Sequence, residues 1–196
     1  MLLKELSTVA PAALPLAAFR EHLRLGTGFA DDTVQDALAE GYLRAALAAI
    51  EGRTAKVLLA RDFALTLRDW RDPAAQTLPV APVAAVLSVT LRDRDGLAST
   101  VSPARYRLER DLQRPRLAGA GGLLPGVPVG GEAEVTFTAG FGDWAAVPAD
   151  LQQAVLLLAA QYHEHRHDMG QAGLPGAVAA LIERWRTVRV LGGGAA

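Results

Sequence analysis

The chain has 196 residues, 51% hydrophobic but only 6% aromatic, enough for one domain or for one domain carrying a sizeable insertion. Its net charge of −1 gives no global basic field for nucleic acid and no acidic tail; the absence of cysteine excludes disulfides, thiolate metal sites and cysteine nucleophiles. Arginine is abundant while lysine occurs only at Lys4 and Lys56, a bias of the kind a GC-rich bacterial genome produces.

The N-terminus carries one lysine and no long apolar core, so no signal peptide is expected. From Leu16 to Leu25, residues Leu16, Phe19 and Leu23 recur at helical spacing, and Gly26 and Gly28 should end that helix. A second helix is expected from Asp31 or Asp32, both good N-caps, to about Glu51. Its polar residues Asp36, Glu40, Arg44 and Glu51 fall on one narrow stripe. The remainder is apolar, including Val34, Leu38, Tyr42, Leu43, Leu47 and Ile50. An arc that wide calls for more than one neighbour, either a helix of the same chain or an adjacent subunit.

After Lys56 the period changes to alternation. Phe63, Leu65 and Leu67 interleave with Asp62, Thr66 and Arg68, and Trp70 closes the run. Leu87, Val89 and Leu91 form the next strand, followed by the hairpin signal Asp95-Gly96. Tyr106 and Leu108 alternate with Arg105, Arg107 and Glu109. Short strands separated by turns favour an antiparallel sheet over βαβ units. The stretch Gly119–Gly131 has the glycines of a phosphate-cradling loop but no Gly-Lys-Ser/Thr, and it opens no helix. It is expected as a long mobile loop, the sharper alternative being a loop that orders against a partner.

The stretch that organises the chain runs from Glu134 to His167. It opens as a strand with Val135 and Phe137 on one face and Glu134, Thr136 and Thr138 on the other. Gly140 and Gly142 break the strand, and Pro148 starts a helix with Asp150 in its first turn. From Ala154 to Ala160 no residue is polar, so this helix is expected to be surrounded; it is too short to span a membrane. The last segment, Pro175–Val190, is expected as an amphipathic helix with Val178, Leu181, Ile182, Trp185 and Val188 on one face, before a flexible tail.

One pattern resembles a catalytic motif. His163, Glu164 and His167 satisfy H-E-x-x-H, in which two histidines four apart share a helix face for zinc and the glutamate serves as general base. A third ligand is missing: the candidates are His22, which is distant in sequence, Asp168, which points elsewhere on the helix, and Glu183, which requires an antiparallel return. The simpler reading is a polar helix end whose histidines and arginine complement the negative terminus, with incidental metal binding left open. Four serines lie in no nucleophile-elbow context. No catalytic, cofactor-binding or metal residue is assigned, and no enzyme is expected.

Three blocks resemble the head–tail connector (adaptor) proteins of long-tailed phages and gene transfer agents, in the longer subfamily with a β insertion. They are Leu16–Leu67, Val135–Arg166 and Leu174–Arg186, which together cover well over half the chain in the expected order. Relatives usually carry Thr-Gly after the second helix, where Thr54-Ala55 stands here with the glycine earlier, at Gly52. They also carry a polar helix end where Tyr162, Glu164 and Arg166 stand, and they are not metalloproteases.

The resemblance implies an α+β fold. A helical bundle built from the N-terminal and C-terminal helices (residues 1–56 and 141–190) carries an inserted antiparallel β lobe (57–140) with the glycine-rich loop at 119–131, and a flexible tail at 191–196. It implies a structural virion neck protein, forming a ring, typically of about twelve subunits, that joins the capsid portal to the next neck or tail component. DNA would pass through without sequence-specific binding, a passage that near-neutral charge suits. Arg184, Arg186, Arg189, Val190 and Leu191 are implied as the portal contact. The expected localisation is the bacterial cytoplasm during assembly and then the particle neck, with no membrane partner. The alternatives are a zinc-dependent hydrolase built on His163, Glu164 and His167, or a generic intracellular interaction module.

Overall fold

A computed structural model of the chain describes residues 1–23, 33–165 and 173–186. Several expectations lie outside those residues: the Gly26 and Gly28 helix stop, the Asp31 or Asp32 cap, Arg166, His167 and Asp168, and Arg189, Val190, Leu191 and the tail. Among the described residues, strands and α-helices run in the order β1 (Leu2–Glu5), α1 (Leu16–His22), α2 (Thr33–Thr54), β2 (Arg61–Leu67), β3 (Ala75–Thr77), β4 (Val83–Arg92), β5 (Ala98–Thr100), β6 (Tyr106–Glu109), β7 (Arg116–Gly119), β8 (Glu132–Ala139), α3 (Ala149–Glu164) and α4 (Gly176–Ile182). No described helix is long and apolar enough to cross a membrane.

The helices build one core around α3, which touches α1, α2 and α4. Ala154, Val155, Leu158, Ala159 and Ala160 are buried there with Phe19, Leu43, Ile50, Val178 and Ile182. Leu156 and Leu157 are only partly buried, so α3 keeps one open flank where its sequence predicts complete enclosure. The first helix forms as its spacing predicts, with Phe19 fully buried.

The strands build a second core. A five-stranded antiparallel sheet has the order β1-β2-β8-β4-β5, and a smaller sheet has the order β3-β7-β6. In β8, Ala133, Val135, Phe137 and Ala139 are buried while their neighbours are half-buried, the alternation of a sheet with one face on a core. Against that face lie Leu117 of the smaller sheet, Trp70 and Leu124. β1 is a strand the sequence reading did not place. It pairs with β2 in the register Leu2↔Thr66 to Glu5↔Phe63, and its burial shows too little of a buried face to announce it.

Two joints connect the cores. At the first, α2 ends at Thr54, whose hydroxyl donates to the Ile50 carbonyl oxygen, and Ala55 takes a φ of +55° as its N–H donates to the Glu51 carbonyl oxygen. This is the left-handed residue that closes a helix, a place glycine fills without steric cost. The Thr54-Ala55 departure is therefore an alanine held in a glycine conformation. At the second joint, Gly140 has φ +130°, and a Cβ there would lie 2.6 Å from the Ala60 Cα. Only glycine lets β8 leave the sheet past β2 and deliver Phe141 to the helical core.

Two further expectations are corrected. The C-terminal helix stops at Ile182 rather than continuing to Val190; a 3₁₀ turn over Glu183–Trp185 follows, and Arg186 is extended. The tighter turn accompanies the joint grip of Arg184 and Trp185 on Asp150. The loop before β8 is packed rather than detached: Leu124 and Pro125 are buried, and the Trp70 indole N–H donates to the Pro125 carbonyl oxygen at 2.7 Å.

Candidate functional site

Asp150, in the first turn of α3, gathers the C-terminal segment. Its Oδ2 accepts from Arg184 Nε and from Trp185 Nε1, each at 2.7 Å, and its Oδ1 accepts from the Leu151 N–H at 3.0 Å. Burial pushes the carboxyl up, but the Arg184 and Trp185 hydrogen bonds, the Leu151 N–H and the Arg184 charge outweigh it, holding Asp150 below the usual carboxylate range. The Arg184 guanidinium lies 4.7 Å from the Trp185 ring centroid, and Phe141 meets the same ring edge-on at 5.8 Å.

Arg184 therefore has a partner inside the chain, and Arg186 pairs with Glu183 at 3.0 Å. Both side chains nevertheless remain more than half exposed, at 69% and 56%. The Arg186–Glu183 pair is exposed on both sides and contributes about 0–1 kcal/mol, so Arg186 can exchange its carboxylate for another at small cost, whereas Arg184 is held on the largely buried Asp150.

Of the histidine pattern, His163 and Glu164 lie among the described residues. The His163 ring meets Tyr42 of α2 edge-on at 5.8 Å, and its buried Nδ1 has no hydrogen-bond partner. Glu164 is exposed, and His165 Nδ1 lies 3.0 Å from Gln161 Nε2 of its own helix. Among the described residues no group of three or more His, Asp or Glu side chains converges.

The sequence reading missed the polar joint beneath the helices. Glu51 is gripped by both terminal nitrogens of Arg61, at 3.0 and 2.6 Å, and also accepts from the Leu58 N–H at 2.7 Å. Glu5 of β1 lies 3.0 Å from Arg61 Nε. Lys56 is almost fully buried, donates to Gln113 Oε1 at 2.9 Å, and its ammonium is pushed down by burial against the pull of Asp111. None of these contacts has a sequence period: Glu51 and Arg61 are ten residues apart, and Lys56 and Gln113 are 57 apart.

The polar stripe of α2 turns out to face the rest of the chain. Asp36 pairs with Arg20, Arg44 pairs with Glu40 and donates to the Val9 carbonyl oxygen, and Glu51 holds Arg61. The face left open is apolar: Ala37, Leu38, Gly41, Ala45, Ala48 and Gly52 are exposed. Beside it runs a groove of about 200 Å³ whose apolar lining includes Val9, Leu47, Ala48 and Leu59.

No protein-family model matches the chain, and no curated protein matches it. Solved structures do. A chain in the neck of an empty gene transfer agent particle, computed with C6 symmetry, is 57% identical with a TM-score of 0.90. A chain in the virion of a native gene transfer agent particle is 58% identical with a TM-score of 0.88. A third, in the neck of a native particle computed with C12 symmetry, is 53% identical with a TM-score of 0.85. Each match covers 98% of this chain and 99% of the other.

Proposed function

Since the chain belongs to the head–tail connector family whose members stand in the necks of gene transfer agent particles, we propose that it forms the ring joining a capsid portal to the next neck or tail component. It is a structural neck protein. The observation that carries the reading is near-complete coverage at 53–58% identity with chains of such particles. A cyclic neck places identical copies side by side about one axis, and twelve copies is the count we assign.

The function is assembly rather than chemistry. The ring lengthens the passage that DNA takes, and a net charge of −1 keeps that passage from gripping phosphates. Assembly takes place in the bacterial cytoplasm, after which the protein stays in the particle. Arg184 and Arg186, with Arg189, Val190 and Leu191 beyond them, form the portal contact. Support comes from the exposure of the two described arginines and from the small cost of exchanging the in-chain partner of Arg186.

The test is electron microscopy of purified portal rings mixed with this chain. An added twelve-fold layer of density on the portal is expected. Portal rings without added density, at chain concentrations well above the portal's, would overturn the reading.

A further inference from the structure

We propose that the open face of α2, together with the groove beside it, is where the neighbouring copy of this chain seats in the ring. The inference rests on the ring reading and adds to it the surface that makes the contact.

The helix itself separates three faces. Leu43, Ala46, Leu47, Ile50 and Thr54 point into the chain's own core. Asp36, Glu40, Arg44 and Glu51 are half-buried in contacts with α1, the Val9 segment and β2. The exposed residues from Ala37 to Gly52 then occupy the remaining arc, about 100° wide at 3.6 residues per turn. That arc holds no charge, and Leu38 is 51% exposed on it. Added side-chain carbons at Gly41 and Gly52 would meet nothing within 4 Å, so no packing inside the chain calls for glycine at either position. Glycine inside a helix weakens it relative to alanine, and a surface that must let another backbone come close supplies the missing reason.

The groove continues that face through Ala48. Its polar lips are Glu5, Thr8, Arg44, Glu51 and Arg61, and the four charges among them are already matched within the chain, so the unmatched lining is apolar. A second copy is the occupant because chains 57% and 53% identical to this one stand in necks computed with C6 and C12 symmetry. In such a ring every copy must offer one patch to the copy on each side. Size agrees as well. Fifteen residue steps of helix span about 22 Å, and a strip about 10–12 Å wide covers roughly 250 Å². That is well short of the roughly 800 Å² per partner of a stable pair, so the isolated chain stays monomeric until the neck gathers its copies.

The test uses the cysteine-free background, in which one introduced thiol is the only thiol. Ala45→Cys chains are treated with a maleimide reagent, free and within assembled necks. The reaction should slow at least ten-fold in the neck. A second variant, Gly41→Leu, should keep the wild-type thermal midpoint or raise it while its incorporation into necks falls at least ten-fold. Equal thiol reactivity in both states, or full incorporation of Gly41→Leu, overturns this inference and leaves the neck reading standing. A wild-type chain that enters no neck overturns both.

Discussion

At the scale of single residues, Asp150 does the most with one side chain. Three donors converge on its carboxylate, and they arrive from two segments: Leu151 from α3 itself, and Arg184 and Trp185 from the turn after α4. Asp150→Asn keeps the shape but removes the charge and one acceptor oxygen. Hydrogen bonds to charged groups contribute about 1.5–3 kcal/mol each, so a loss of roughly 2 kcal/mol is expected in urea denaturation at neutral pH. Because Asp150's carboxyl sits below its usual range in the folded chain, its stabilising contribution is present above the unfolded carboxylate's pKa of about 3.9. It fades as pH falls through the lower folded value. The stability gap between wild type and variant should therefore close in acid, and a gap unchanged from neutral pH to acid would refute the role given to the carboxylate.

At the scale of elements, β4 shows what alternation can and cannot announce. Leu87, Val89 and Leu91 read as one face, yet Val89 and Leu91 are buried while Leu87 is 51% exposed. Pairing explains it: Val86 faces Phe137 and Ser88 faces Thr136, so Leu87 is the extra residue of a bulge. Leu87→Ala should cost under about 0.5 kcal/mol, as surface changes usually do, whereas Val89→Ala should cost about 2 kcal/mol. Equal losses in urea denaturation would mean that the bulge is absent. The elements that were legible from sequence are those with an unbroken period: α1, the body of α2, β2, β6, β8 and α3. What stayed hidden needed a partner to define it. β1 exists by pairing with β2, the turn after Ile182 tightens where Asp150 holds Arg184 and Trp185, and the glycine-rich loop is fastened through Trp70. The open side of α2 was hidden too, since its wide apolar arc was readable but not which part of that arc its own chain would cover.

For the whole molecule, the decisive quantity is how little positive charge it can turn toward DNA. Residues 184–189 carry Arg184, Arg186 and Arg189, and residues 105–116 carry Arg105, Arg107, Arg110, Arg114 and Arg116 against Glu109 and Asp111, a surplus of three in each stretch. In the latter Glu109 bridges Arg107 and Arg116, and Arg110 is turned to the Ala84 carbonyl oxygen. Each phosphate neutralised on duplex DNA contributes about −0.9 to the slope of log K against log salt, so either stretch acting alone allows a slope no steeper than about −3. Non-specific DNA binders reach dissociation constants of about 10⁻⁴–10⁻⁶ M at physiological salt, and this chain should fall on the weak side of that range. Anisotropy of a labelled duplex, titrated with the chain at several salt concentrations, measures both quantities. A slope near −6, or micromolar binding at about 0.15 M salt, would mean that the protein grips DNA. Such a grip would count against the DNA passage proposed for the ring.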